Sequence, residues 1–303
     1  MFWIPCTSKK KMIIIALQGG LGNQMFQYAF ASILAKSNNC EVLIENSFFD
    51  LADSKEGFTL RNFELDIFND RFIKATEKNL AIFNHLSKIN KIKKSLGLNY
   101  PKVYNEPSFD FQENAFAIKS PAYIKGYFQS YKYFIDKEYL IMKIFTFPNT
   151  LDTVNKELLS RIKKENTIAL HIRRGDYVND KLTQQFHGNC SVDYYLDSIK
   201  YIDSKDKNFT LVFFSDDPEW VKENFDSLAS DKIFITHNQG INSWVDMFLM
   251  SICSHNIIAN SSFSWWAAWL NRNPQKIVIA PKNWFATSEY DAKDLIPPEW
   301  IRL

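Results

Sequence analysis

The chain has almost no excess of either charge: 36 Lys and Arg stand against 34 Asp and Glu, a net of +2. That balance removes any global electrostatic case for nucleic acid, so an anionic ligand must be held by a local site. Paired cysteines are missing too. Cys6, Cys40, Cys190 and Cys253 lie far apart, with no CxxC pair and no zinc spacing. A disulfide framework is not expected in so long a chain, and reduced cytosolic thiols are. No run reaches the roughly 18 apolar residues that span a bilayer. Met1–Lys11 is short and weakly apolar, and its charges follow the apolar residues, unlike a signal peptide. A cytoplasmic protein is therefore expected.

What is present is length and aromaticity. With 303 residues, two domains of about 150 each are the natural division. Aromatic residues make up 16%, mostly 26 Phe and 13 Tyr, which suits deep packing or flat apolar ligand surfaces. Met12–Leu17 is a short apolar run that ends in Gln18-Gly19-Gly20-Leu21-Gly22-Asn23. Met25, Phe26, Ala29, Phe30, Ile33 and Leu34 then recur at the spacing of one helix face, and Val42–Ile44 predicts the next strand. This is the opening of a doubly wound α/β unit. Residues 50–120 read as helices and loops, with the Lys88–Lys94 run as a solvated helix face. Tyr123–Phe134 reads as half strand and half loop, and the stretch around Pro148 and Asn149 as the linker. The expected domains are 1–149, with 1–11 as an extension, and 150–303.

The second half alternates more regularly. Thr167–Ile172, Phe209–Phe214, Lys232–Ile235, Asn256–Ala259 and Lys276–Ala280 are apolar runs, separated by helical patterns at Val192–Ile202, Pro218–Phe225, Ser243–Cys253 and Phe263–Leu270. Such alternation implies a parallel sheet, whose neighbours need crossover connections. Ligands of these sheets bind beyond the carboxyl ends of the strands, so the residues after each strand are the ones to inspect.

Four strand exits carry candidate chemistry. After the first run of the second half comes His171-Ile172-Arg173-Arg174-Gly175-Asp176-Tyr177, with His171 and Arg173 on one face. A guanidinium there can grip a diphosphate bidentately, and Gly175 lets the backbone pass close to a ligand. An arginine pair salt-bridged to Asp176, with His171 a satisfied core residue, fits the heptad equally well, and an adhesion role for Arg-Gly-Asp fits poorly after a buried strand. At the second exit, Asp216 or Asp217 could accept both donors of guanine's edge. Ser215 followed by Pro218 and Glu219 is equally a helix start. Adjacent aspartates could hold a divalent ion. There is no Asp-x-Asp here, however, and the arginines already supply positive charge. At the third exit, Asn260, Ser261, Ser262, Phe263 and Ser264 open an apolar helix whose dipole favours an anion; phosphate or ribose contact competes with simple capping. The fourth is the Gly19–Gln24 loop. It fails as a dinucleotide fingerprint, because Met25 stands where the third glycine belongs and close helix–strand approach is lost. It still offers backbone donors at Gly20 and Gly22 and the amides of Asn23 and Gln24.

Gly19–Ala29 (GGLGNQMFQYA), Gly126–Ser130 (GYFQS), His171–Tyr177 (HIRRGDY), Phe213–Asp217 (FFSDD) and Asn260–Leu270 (NSSFSWWAAWL) occur in order along nearly the whole chain. Together they resemble the α-1,2-fucosyltransferases of glycosyltransferase family 11. The resemblance implies a GT-B-like pair of Rossmann-type domains facing a cleft, with 1–149 on the acceptor side and 150–303 binding GDP-fucose. It implies inverting transfer of L-fucose, with no metal and no cofactor, to the 2-hydroxyl of a galactose-containing glycan. By likeness, Arg173 would hold the β-phosphate, His171 and Asp216 or Asp217 would meet guanine, and Asn23 would approach the transfer region. Arg173, Asp176 and Asn23 are the catalytic candidates. His171, Arg173, Arg174, Asp216, Asp217, Ser261, Ser262, Phe263, Ser264, Gly20 and Gly22 are the donor-binding ones. A lipid-linked acceptor would bring the enzyme to the inner membrane peripherally. The alternatives are a GT-B transferase using another sugar nucleotide, a non-catalytic nucleotide- or glycan-binding module, and an NAD-dependent oxidoreductase resting on the glycine loop and Glu45.

Overall fold

The computed structural model describes residues 11–51, 61–84, 88–97, 100–175, 188–287 and 291–303. Two parallel sheets organise them. The first holds β1 (Met12–Ala16), β2 (Glu41–Glu45), β3 (Lys102–Asn105) and β4 (Ala122–Lys125) in the order β2-β1-β4-β3. The second holds β5 (Thr167–Ile172), β6 (Thr210–Ser215), β7 (Lys232–Ile235), β8 (His255–Ile257), β9 (Val278–Ala280) and β10 (Ile301–Arg302), in the order β10-β9-β8-β5-β6-β7. Every strand pairing among the described residues is parallel, so each sheet gathers its carboxyl ends on one rim.

The helices are α1 (Leu21–Asn38), α2 (Glu77–Asn84), α3 (Lys88–Ser95), α4 (Glu138–Ile144), α5 (Thr153–Lys164), α6 (Val192–Asp203), α7 (Pro218–Phe225), α8 (Trp244–Ile252) and α9 (Ser262–Leu270). All six residues of β5 are buried, as a strand covered on both faces requires. Four second-half helices start on side-chain caps: Asp152 accepts from Asn155 N–H, Ser191 from Tyr194 N–H, Asp217 from Trp220 N–H and Ser261 from Phe263 N–H. Helix α1 ends at Asn39, which takes the left-handed conformation at φ 49° and returns its N–H to Ala35 O. Lys91 and Lys94 of α3 are solvated, as expected of that run. Strands β3 and β10 and helices α4 and α5 are elements the sequence reading passed over.

The aromatic excess goes into packing. Helices α1 and α9 are each buried almost all round, and they pack on each other. Phe26 of α1 lies 4.5 Å from Trp265 and 4.9 Å from Trp266 of α9, ring centre to ring centre. Phe134 and Phe145 close on Trp266 at 5.5 and 5.2 Å. Both buried indoles are satisfied, Trp265 Nε1 donating to Leu295 O and Trp266 Nε1 to Gly22 O, each at 2.9 Å. One continuous core therefore runs from β1 through α1 and α9 to α8, joining the two sheets. Among the described residues, no helix is long and apolar enough to cross a membrane.

Candidate active site

The second sheet's rim is built by register. Ile172 of β5 pairs with Ser215 of β6, so the next residues of the two strands meet in order. Arg173 Nη1 lies 2.8 Å from Asp216 Oδ2, and Arg174 Nε lies 3.1 Å from Asp217 Oδ2. Asp216 Oδ1 also accepts the Arg174 backbone N–H at 2.8 Å. The Arg174 guanidinium rests 4.0 Å over the Trp220 ring, held by charge and by the ring's face. A Cβ on Gly175 would come within 2.8 Å of Asp216 Oδ2, so that position has room only for glycine unless the carboxylate shifts. These aspartates, on the next strand, are the arginines' acidic partners. Asp176, the partner considered from sequence, lies with Tyr177 outside the described residues. Asp217 Oδ1 caps α7 as well. Both aspartates thus spend oxygens on protein donors, and their immediate task is to fix the guanidinium groups.

His171 points into a dry place. It is 7% exposed, its backbone oxygen accepts from Tyr195 Oη at 3.0 Å, and its ring sits 5.7 Å from that of Phe263. Burial, reinforced by the Arg173 charge, depresses its pKa to about 3, so the imidazole is neutral at physiological pH. Its Nδ1 is sealed from solvent and has no hydrogen-bond partner among the described residues. Through Phe263, the exit of β5 touches the start of α9.

The three serines at that start have separate duties. Ser261 caps the helix, accepting from Phe263 N–H at 3.3 Å. Ser262 Oγ donates to Asn23 Oδ1 at 2.7 Å. Ser264 is fully buried, and its hydroxyl is turned onto Ala259 O and Ser261 O at 3.4 and 3.3 Å. The Ser264 hydroxyl is therefore turned into its own helix start, and the other two serines keep theirs nearer the surface. Asn260 is also buried, with Nδ2 donating to Trp284 O at 3.2 Å.

The first sheet's rim is fixed mainly by amide and backbone hydrogen bonds, with Glu64 and Arg61 beside its glycine turn. After β1, the Gly19–Gln24 turn enters α1 with several donors already used. Leu21 N–H goes to Glu64 Oε2 at 2.9 Å, and Gln18 N–H to Gln27 Oε1 at 3.0 Å. Asn23 and Gln24 N–H both go to Gly20 O. Gln24 is not available to a ligand. It is fully buried, its Nε2 donates to Gly19 O and Asn62 O, and its Oε1 accepts from Glu64 N–H. The N–H groups of Gly20 and Gly22 have no partner among the described residues and keep their expected donor role open. Gly22 also answers the missing third glycine. A Cβ there would stand 2.5 Å from Ser262 C and 2.6 Å from Phe263 N. The close approach is therefore between the two helix starts, and it brings the rims together.

Sequence reasoning assigned no role to Gln129, Glu64, Arg61 or Trp220. Gln129 Nε2 donates to Asn23 Oδ1 at 2.8 Å. A Cβ on Gly20 would lie 3.8 Å from Cδ of Arg61, which places a cation beside the glycine turn. The only advance signal was for Gln129, which falls inside one of the five ordered blocks.

Two parallel α/β sheets with their carboxyl rims joined through α1 and α9 define a GT-B-like glycosyltransferase. The chain belongs to glycosyl transferase family 11, whose pattern it matches over residues 4–303. It is similar to an alpha-1,2-colitosyltransferase of Escherichia coli, 35% identical over 295 residues that cover 96% of this chain and 99% of that one. It is also similar to a galactoside 2-alpha-L-fucosyltransferase of Caenorhabditis elegans, 27% identical over 307 residues that cover 96% of this chain and 79% of that one. Its fold is shared with the fucosyltransferase NodZ from Bradyrhizobium, at a TM-score of 0.51 and 13% identity, over 86% of this chain and 92% of that one.

Proposed function

We propose that this glycosyltransferase moves L-fucose from GDP-L-fucose to the 2-hydroxyl of a galactose-containing glycan, with inversion and without a metal ion. The observation that carries this reading is the doubly fixed arginine pair at the exit of β5, next to the start of α9. In the reaction the bond from the sugar's C1 to the diphosphate oxygen breaks, and a bond from C1 to the acceptor oxygen forms on the opposite face. The acceptor's proton passes to a carboxylate base, for which Asp176 is the candidate in the heptad. Negative charge grows on the departing diphosphate, where preset cationic donors lower the barrier most. Arg173 supplies that stabilisation, Arg174 and the start of α9 support it, and the neutral His171 serves the nucleotide. Residues 150–303 hold the donor, and residues 1–149 meet the acceptor, with Asn23 between them.

A second donor reading has its own support, the 35% identity with a colitosyltransferase. Colitose is fucose without its 3-hydroxyl, so either sugar would place the same anomeric carbon beside the same diphosphate. The test is to offer the purified chain GDP-L-fucose, GDP-colitose, GDP-mannose and UDP-sugars with lactose as acceptor, with and without a chelator. The expected result is chelator-insensitive GDP release, with an α-1,2-linked fucose in the NMR spectrum of the product. Preferred turnover of GDP-colitose would replace the donor in this reading. Nucleotide-induced thermal stabilisation without GDP release from any donor would mark a binding module instead.

A further inference from the structure

Asn23 stands where three strand exits meet: the turn after β1, the loop after β4 and the turn from β8 into α9. Its Oδ1 receives two hydrogen bonds, from Gln129 Nε2 at 2.8 Å and from Ser262 Oγ at 2.7 Å. A carbonyl oxygen has two lone pairs, and both are then used. The amide nitrogen is turned the other way, over Gly19, where a Cβ would come within 2.4 Å of it. Gly19 has φ of +78° and no side chain, which leaves that space to the amide. Asn23 Nδ2 has no partner among the described residues, and it is not sealed from solvent.

The loop that delivers Gln129 is held firmly. Gly126 has φ of +154°, and a Cβ there would lie 2.3 Å from the Glu106 Cβ. Phe128, a bulky residue, takes the left-handed conformation at φ 52°. Glu106 Oε2 accepts the N–H groups of both Tyr127 and Phe128, at 2.7 and 2.9 Å. Beyond Gln129, Ser130 Oγ donates to Asp294 O at 2.6 Å and anchors the loop's end. Strained backbone of this kind persists when its surroundings over-determine it, and here they fix one side chain's reach.

We infer that Gln129 is a positioning residue for glycosyl transfer: it sets the rotation of the Asn23 amide so that the NH2 group, and not the carbonyl, faces the ligand. Two N–H donors suit the oxygens of a diphosphate, which a carbonyl oxygen would repel, and they hold a sugar hydroxyl as acceptor where a carbonyl would take its proton. An amide and its mirror rotation occupy the same volume, and with Gln129 and Ser262 both donating, the mirror rotation of Asn23 would lose both bonds unless both partners turned as well. The inference rests on the reading of Asn23 as a transfer-site residue.

The test is Gln129→Glu beside Gln129→Ala. Glutamate has the same shape but can only accept while ionised, so it draws the Asn23 NH2 group towards itself and turns the carbonyl to the ligand. At neutral pH, Gln129→Glu is expected to lose at least about tenfold in kcat and to fall below Gln129→Ala. As pH drops towards the carboxyl range, Glu at 129 takes up a proton and donates again. Its deficit relative to the native chain should then shrink, while the Gln129→Ala deficit stays flat. Turnover of Gln129→Glu at or above that of Gln129→Ala, or a loss that ignores pH, overturns the proposal. Activity is read with whichever sugar nucleotide the native chain uses, so a wrong donor shows in the native enzyme and a wrong Gln129 role in the variant ratios. A substrate-free arm uses denaturant unfolding of Asn23→Ala, Gln129→Ala and the double variant. Non-additive losses are expected from the shared hydrogen bond, and additive ones contradict it.

Discussion

The two rims solve the same problem, fixing a side chain at a strand exit, with opposite chemistry. On the second sheet the work is done by ions, Arg173 on Asp216 and Arg174 on Asp217, paired by strand register. On the first it is done by amides and hydroxyls, with Gln129 and Ser262 converging on Asn23 and Gln24 stitching the glycine turn to residues 62–64. Ions suit the side of a reaction where a full charge departs. Neutral dipoles suit the side where an uncharged hydroxyl must be oriented without being trapped. This difference is what the proposed division, donor on the second rim and acceptor on the first, would require.

The largest expected effect breaks the ionic rim. Arg173→Lys keeps a charge for Asp216 but loses the planar fork, and kcat should fall by about 100-fold or more with the melting temperature little changed. Near-native turnover would remove Arg173 from the reaction. Next is the seam between the rims. Gly22→Ala sets a methyl group 2.5 Å from the Ser262 backbone, and such overpacking should cost about 1–3 kcal/mol in denaturant unfolding. Loss of transfer should accompany it as the helix starts move apart. An unchanged midpoint would show that the seam is loose.

A subtler effect sharpens the account of the amide rim. Burial raises the Glu106 pKa from 4.5 to about 7 despite the two backbone N–H groups that favour its charged form. Between those values the folded chain holds a proton that the unfolded chain has released, so this group's stabilisation is present below pH 4.5 and is lost as pH rises to about 7. The window corresponds to at most ~3 kcal/mol. Glu106→Gln should flatten that segment of the stability–pH curve. A curve of unchanged slope would show that the native carboxyl titrates normally.

Much of the second sheet was legible because its central strands β5 and β6 are buried almost throughout and read as apolar runs. Thr167–Ile172 and Lys232–Ile235 fall on the expected residues, and Pro218–Phe225 starts and ends where its cap predicts. Strand β3 was not legible, because Lys102–Asn105 is a largely exposed edge with no apolar run. Two residues of β10 carry too little pattern for any reading. At the site, alternation placed His171 and Arg173 at a strand exit. Register was invisible, so Asp216 could not be matched to Arg173, and Asp176 stood in its place as the local choice. The glycine turn was legible only as a tight loop offering donors, with no close approach expected. Met25 argued against a helix–strand contact, and the contact Gly22 makes is with another helix, 240 residues away along the chain.

The most direct measurement is a crystal structure of the chain with GDP. The nucleotide is expected on the second sheet's rim, with the β-phosphate gripped by Arg173 beside the start of α9 and the Asn23 NH2 group facing the space between the rims. A diphosphate seated on the glycine turn and Arg61, with Arg173 directed only at Asp216, would contradict that expectation.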